Sequence, residues 1–379
     1  MFEESLLEEH VLLRRDEQRL LWSMATAGAQ VRRAIALSAD FGVERLRGEI
    51  PRSVLVATDA PPSSAQRLVT RLSCEAAPAL AWHGVELPRW AGPLDALLIG
   101  AIDGRHPRLA ELAEQGSRRG LAMAVVAPAD SPVASAAARA PVHELADDLN
   151  SRAARWAVLT PLLQALDALG LHEVSTSLLE QVADALDQNA EMCRPSGDLF
   201  TNPAKSLAVE FASARPIIVG AGALASVAAR STADALQLAS GTPAVGVSLP
   251  DGVGRAGALL RGAGPGHSED FFHDRIEGEG IQRAHLLVIG DDGDAGDPSL
   301  GARSGAQVQL DEVAARRAAA ALRKLAEDLG VRVTSVDVPD GAPLARFAAA
   351  AAFGEFTAAY LAFGLGLDPG APRPAELGH

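Results

Sequence analysis

The run Gly220-Ala-Gly222-Ala-Leu-Ala225 follows a short apolar segment, PIIVG at 216–220, and opens a stretch with helical spacing. Glycines at a strand-to-helix turn let the backbone approach a phosphate and present it with free helix amides. A dinucleotide-binding fold adds an acidic residue at the end of the next strand, about 20 residues on, for the ribose. The nearest carboxylate, Asp251 behind Pro250, comes late. The run therefore reads either as a nicotinamide site or as a bare strand-to-helix turn. A second chemistry-bearing stretch, 291–305, holds Asp291, Asp292, Asp294 and Asp297. It lacks the spaced ligands and closing Glu of a calcium loop, so a solvated loop is expected. Cys74 and Cys193 lie far apart and outside any CxxC pair, so two reduced thiols are expected and no metal knuckle. No metal and no cofactor are expected.

These residues need elements to position them. Short apolar runs at 53–57 (SVLVA), 96–100 (ALLIG) and 122–127 (AMAVVA) alternate with segments of helical spacing. Residues 150–189 are helical throughout, with a break near Gly170. The alternation then restarts with strands at 216–220, 244–249, 285–290 (HLLVIG) and 331–338. Helices are expected at 223–238, 313–329 and 344–365. Short apolar strands alternating with helices predict βαβ units and parallel sheets. The fold class is α/β with two subdomains, each a parallel sheet flanked by helices. The expected division is a helical segment at 1–50, a first subdomain at 51–150, connecting helices at 151–198 and a second subdomain at 199–379. The apolar stretch 342–367 contains Arg346 and Glu355 and reads as a buried helix, not a membrane span.

The chain has 379 residues, 48% hydrophobic, 22% charged and only 4% aromatic, so its core must be aliphatic. The net charge of −14 and the lack of any basic run argue against a nucleic-acid partner. Nearly all the basic residues are Arg; Lys205 and Lys324 stand almost alone. Glu3, Glu4, Glu8 and Glu9 make the N-terminus the opposite of a secretory leader, and a cytoplasmic, non-membrane protein is expected.

Several segments carry a resemblance in matching order. They are Asn202-Pro-Ala-Lys205-Ser-Leu-Ala208, Arg215 to Gly220 (RPIIVG) and Val227-Ala-Ala-Arg230. Ser151-Arg152-Ala-Ala154 with Leu159-Thr-Pro-Leu-Leu163, and Phe353-Gly-Glu355 with Tyr360-Leu-Ala362 and Asp368-Pro369, complete the set. Together these resemble the bifunctional phosphoglucose/phosphomannose isomerases of the sugar isomerase (SIS) fold. The resemblance implies interconversion of aldose and ketose 6-phosphates without a metal. Loops at the carboxyl ends of the first sheet would hold the phosphate. A Glu would abstract the proton beside the carbonyl, a His from across a dimer interface would assist ring opening, and an Arg would steady the enediolate.

On this chain the resemblance assigns the enediolate arginine to Arg152. It puts the base at Gln237, which cannot take a proton, with Asp234 three residues earlier. The expected His is missing after Leu249-Pro250-Asp251, and His267 and His273 are the next candidates. The first phosphate loop corresponds to 58–64 (TDAPPSS), where Ser63 and Ser64 keep hydroxyls but two prolines remove amides. The second corresponds to 101–106 (AIDGRH), with Gly104 and Arg105 as ligand-binding candidates and Asp103 adding a carboxylate. Gly220 and Gly222 complete the candidate set. Three readings follow. One is a SIS protein that binds a sugar phosphate or other carbohydrate derivative with weak or lost isomerase activity. Another is a working isomerase with relocated groups at Arg152, Asp234, His267 and Glu269. The last is a nicotinamide-dependent oxidoreductase. A homodimer is expected from the resemblance.

Overall fold

The computed structural model describes residues 2–59, 64–74, 76–146, 150–262, 283–290, 305–336, 338 and 340–370. Among these, the chain opens with helices α1 (Glu9–Arg15), α2 (Leu20–Ala25), α3 (Ala27–Ala36) and α4 (Ser38–Phe41). There follow β1 (Ser53–Thr58), α5 (Ser64–Ser73), β2 (Ala79–Ala81), β3 (Asp95–Gly100), α6 (Pro107–Arg119), β4 (Ala122–Ala127), α7 (Pro132–Ala136) and β5 (Val142–Glu144). Helices α8 (Arg155–Ala168) and α9 (Thr176–Met192) come next. The rest is α10 (Pro203–Ala212), β6 (Ala214–Ala221), α11 (Ala223–Ser240), β7 (Val245–Leu249), α12 (Val253–Gly262), β8 (Arg283–Ile289), α13 (Gly305–Asp328), β9 (Arg332–Ser335) and α14 (Pro343–Gly364). Two compact units result, one of residues 22–188 and one that joins 1–21 to 189–379.

The first unit holds a parallel sheet in the order β2-β1-β3-β4-β5. Leu55 pairs with Leu97, and Leu97 with Met123. Every residue of β1 and β3 is buried. A parallel sheet is covered by helices on both faces, so its strands read as unbroken apolar runs rather than alternating ones. β2 and β5 have three residues each and lie at the sheet edges; Ala79-Leu-Ala and Val142-His-Glu are too short to give that signal. Leu55, Leu97, Ile99, Leu109, Leu112, Met123 and Val125 form the core under α6.

The second unit has a parallel sheet in the order β7-β6-β8-β9. Ile217, Val219, Leu286, Val288, Leu260 and Leu322 pack between it, α12 and α13. Helix α14 is long and apolar enough to cross a membrane by composition, but 94% of its apolar window is buried within the protein, as the interruptions by Arg346 and Glu355 predict. It lies against α10 and α11, and its small residues allow close approach. A Cβ on Gly354 would stand 2.2 Å from Thr232 Oγ1.

Residues 2–21 pack with this second unit. Glu3 N donates to Gly364 O at 2.8 Å, and Arg15 Nη2 donates to Gly366 O at 2.7 Å. Lys205 joins the same region. Asn202 caps α10 by accepting from Ala204 N and Lys205 N at 3.0 and 3.1 Å, which fixes the first turn that carries Lys205.

Candidate functional site

In an open parallel sheet, ligands bind outside the carboxyl ends of the strands, where the strand order reverses. In the first sheet the chain runs from β1 outward to β2 and then to β3 on the other side, so the reversal lies between β1 and β3. In the second sheet it lies between β6 and β8. Each unit therefore has one crevice position set by topology.

At the β1–β3 position, Asp59 follows the last residue of β1. Its Oδ2 accepts from Ile102 N at 2.5 Å and from Asp103 N at 3.3 Å, in the loop after β3. Burial pushes the Asp59 carboxyl up to about 6; the charge of Asp103 adds to the rise, and the two amides oppose it. Asp103 Oδ1 accepts from Arg105 N at 2.9 Å within its own turn. Gly104 has φ +66°, and a Cβ there would fall 2.3 Å from Ser131 Cβ, so glycine sets both the turn and its packing on the next loop. Arg105 is exposed. Arg108, in the first turn of α6, donates to Thr58 O at 2.5 Å and to Trp82 O at 3.2 Å. Burial lowers its proton affinity, and the nearby Asp59 opposes this.

Ser64 is buried at the first position of α5, the helix that follows β1 in the chain. Arg152 is partly buried in the turn before α8, and its N–H donates to Asn150 Oδ1 at 2.9 Å. Gln30 fixes that turn: its Nε2 donates to Ala153 O, and its Oε1 accepts from Ala157 N, both at 3.1 Å. A Cβ on Gly100, the last residue of β3, would stand 2.6 Å from Val158 Cγ1. Helix α8 thus begins beside the end of β3, the strand that precedes the loop of Ile102 and Asp103. Ser64, Gly104, Arg105 and Arg152 all lie in this unit, around the carboxyl end of its sheet.

At the β6–β8 position, the two glycines of the G-x-G-x-x-A run do different work. A Cβ on Gly220 would fall 2.3 Å from Ala225 O. The bare Cα lets α11 close onto β6, and Ser226 Oγ donates to Gly220 O at 3.1 Å. Gly222 has φ +120° and ψ 173°, backbone open to glycine alone, and a Cβ there would meet nothing within 4 Å. Gly290, just beyond β8, has φ +81°, and a Cβ there would meet Ala225 Cβ at 2.6 Å. Sequence reading passed over Asp59 and Gly290. A lone acid or glycine immediately after a buried strand was the available signal.

Asp234 and Gln237 sit on α11, about 18 and 22 Å along the helix axis from Gly222 at 1.5 Å per residue. Within this unit they lie toward the opposite end of the helix from the Gly220–Gly222 turn. The Nε2 of Gln237 donates to Ala244 O at 2.7 Å, beside the start of β7. Asp251 is exposed, two residues past the end of β7. Ser63, His267, His273, Glu269 and the Asp291–Asp297 carboxylates lie outside the described residues. Among the described residues no group of three or more His, Cys, Asp or Glu gathers to hold a metal ion.

The raised proton affinity of Asp59 gives a stability prediction with a definite sign. The folded state holds this proton more tightly than the unfolded chain, so the stabilisation is complete below about pH 4 and is lost as pH rises through about 6. From 3.8 to about 6, at about 1.4 kcal/mol per tenfold, the change reaches about 3 kcal/mol. Asp59→Asn keeps an acceptor for Ile102 N and removes the titration. Urea unfolding of both proteins at pH 4 and pH 7.5 should show the variant gaining on the wild type at the higher pH by up to that amount. An equal gap at both pH values would contradict it.

Compared with known proteins, residues 200–374 match the bacterial phospho-glucose isomerase C-terminal SIS domain. No curated protein matches the chain in sequence. Among solved structures, the hypothetical protein TT0462 from Thermus thermophilus is similar with a TM-score of 0.66 and 14% identity, covering 100% of this chain and 97% of that one. A provisional phosphosugar isomerase from Silicibacter pomeroyi gives 0.60 and 16%, covering 93% and 99%. Tagatose-6-phosphate ketose/aldose isomerase from Escherichia coli gives 0.59 and 12%, covering 94% of each chain. At these identities the structural likenesses show a shared fold.

Proposed function

We propose, from the two parallel-sheet subdomains and the match of residues 200–374 to the bacterial phospho-glucose isomerase C-terminal SIS domain, that the chain binds a sugar phosphate or another carbohydrate derivative, with aldose–ketose isomerase activity weak or lost. The observation that carries this reading is Gln237. The family resemblance puts the proton-abstracting Glu there, and the side chain is instead an amide that donates to Ala244 O. Removing a positioned general base typically costs about 100- to 10,000-fold in rate. In this reading the Gly220–Gly222 run is the strand-to-helix turn of the SIS domain, not a nicotinamide fingerprint. A homodimer in the cytoplasm goes with the same family reading.

A second reading, a working isomerase with a relocated base, draws support from Asp59. A carboxyl with raised proton affinity at a topological switch point is suited to proton transfer near neutral pH. A coupled assay with glucose 6-phosphate, mannose 6-phosphate and fructose 6-phosphate separates the two. The expected result is turnover well below about 1 per second together with a rise in melting temperature on adding a sugar phosphate. Turnover in the ordinary range of about 1–1000 per second would favour the relocated base. Neither turnover nor a melting shift would remove both readings.

A further inference from the structure

We propose that a cavity at the amino end of β4 binds a small anion, one carboxylate or phosphate head on an apolar body. The cavity holds about 480 Å³. It lies where β4 begins, with Ala122 and Met123 in its wall, beside the turn that leads from α7 into β5. The crevice set by the strand order lies at the carboxyl ends of the same strands. This is therefore a second place on the sheet, and the inference does not rest on the carbohydrate-binding reading. Leu46, Leu121, Met123 and Pro141 give the cavity buried apolar walls. Arg45, Arg139 and Glu49 supply its charges, two positive against one negative.

The turn at the cavity's lip supplies backbone donors. Ala137 has φ −68° and ψ −11°, and Ala138 has φ +53°. A right-handed residue followed by a left-handed one sets successive amides into the concave arrangement that binds anions. The amides of Ala138 and Arg139, both cavity residues, donate to no acceptor among the described residues. The carbonyls of the turn are engaged instead. Ser117 Oγ donates to Ala136 O at 3.3 Å and to Ala137 O at 3.2 Å, and Ala140 N donates to Ala137 O at 3.0 Å. These bonds hold Ala138 in a region that alanine otherwise avoids.

The arginines supply the charge. Arg45 donates through Nε to Gly42 O at 3.3 Å and through Nη1 to Arg139 O at 3.4 Å, which keeps its guanidinium against the same turn. Arg45 and Arg139 are both exposed, and neither pairs with a carboxylate among the described residues. Their neighbour Arg47 does, with Glu44 and Asp167. The chain has 48 acidic residues against 34 basic ones, so carboxylates are in excess, yet these two cations beside one cavity are left without them. Guanidinium groups together with free amides are the donor set for an oxyanion, and such charge-assisted bonds are the strong ones. Glu49 in the same wall repels a second negative charge, which limits the ligand to one anionic head.

The test uses the full chain as wild type, Arg139→Gln and Ala140→Phe, each checked for folding by its melting temperature. Arg139→Gln removes the charge of an exposed side chain, and Ala140→Phe fills the cavity without altering a charge. Each is titrated by calorimetry at pH 7.5 with hexanoate, phenyl phosphate and hexylamine. The wild type is expected to bind at least one of the two anions with a dissociation constant of about 1 mM or below and to ignore hexylamine. Arg139→Gln should weaken that binding at least about tenfold, and Ala140→Phe should abolish it. The tighter of the two anions identifies the head as carboxylate or phosphate. No saturable binding of either anion up to about 20 mM would overturn the proposal. Binding that both folded variants retain within about twofold would overturn it too, because the anion would then sit elsewhere on the molecule. If hexylamine binds as tightly as the anions, the apolar walls hold the ligand without the arginines, and the anion assignment falls. None of these failures touches the sugar-phosphate reading, which is judged by turnover and melting shift with the hexose 6-phosphates.

Discussion

Lys205→Met should cost the second unit about 3–5 kcal/mol, the scale at which removing one partner of a buried charged group is felt. Lys205 is 2% exposed. Its Nζ donates to Leu7 O and Pro195 O at 2.7 Å and to Gly197 O at 2.8 Å, and it stands 5.4 Å from the centre of the Tyr360 ring. An ammonium has three protons, and each has a carbonyl. Burial pulls the proton affinity of Lys205 down to about 8, with Glu9 and Asp198 opposing, so the group stays charged at pH 7 and all three bonds persist. Methionine fills similar volume but donates nothing. Three carbonyls would lose their partner, and each buried, unsatisfied group costs about 1–3 kcal/mol.

The measurement needs a suitable probe. All four tryptophans, Trp22, Trp82, Trp90 and Trp156, belong to the first unit, so their fluorescence follows that unit. Far-ultraviolet circular dichroism during urea unfolding reports both, and the difference between the two signals isolates the second. A loss below about 1 kcal/mol would mean that the three carbonyls find other donors, and the role assigned to Lys205 would fail.

Lys205 also shows which parts of the molecule a sequence can reveal. The strands β1, β3, β4, β6 and β8 were legible because a sheet covered on both faces demands unbroken apolar runs, and SVLVA, ALLIG and HLLVIG are such runs. The edge strands β2 and β5 were not, because three residues half open to solvent carry no such demand. The packing of residues 2–21 with the second unit was hidden for another reason. Lys205 reaches backbone carbonyls, which every residue has, so nothing in the type of Leu7, Pro195 or Gly197 marks them as its partners. Asn202-Pro-Ala-Lys205 was visible as a motif, but its physical work is to anchor three chain segments. Asp59 was hidden in the opposite way. The residue was in view within TDAPPSS, yet its meaning depends on the loop after β3, more than 40 residues on, turning its amides toward it. Gly104 and Arg105 were read by position in that loop, and only one of them is buried.

The two glycines of the run after β6 should respond to the same substitution on different scales, for different reasons. Gly220→Ala should cost about 3 kcal/mol or more, at the upper end of what overpacking a core does. The added Cβ would lie 2.3 Å from Ala225 O, 2.4 Å from Ala225 C and 2.4 Å from Ser226 Cα. All three are backbone atoms of the first turn of α11, so no side chain can rotate away, and the helix must lift from β6 as a body. Lifting it also pulls Ser226 Oγ from Gly220 O and loosens the seam between α11 and α14, where Thr232 meets Gly354. Gly222→Ala meets nothing within 4 Å and pays only for a conformation that L residues avoid, about 1–3 kcal/mol. Circular dichroism under urea gives both numbers. If Gly220→Ala proves the milder of the two, strand–helix packing is not what requires glycine there. The run would then have to be explained by the backbone turn at Gly222 and whatever that turn approaches, which is the ligand-side reading of the same motif. The expected order instead makes Gly220 a structural glycine of the SIS domain and leaves Gly222, where a Cβ meets nothing within 4 Å, as the position whose substitution should be felt by a ligand more than by the fold.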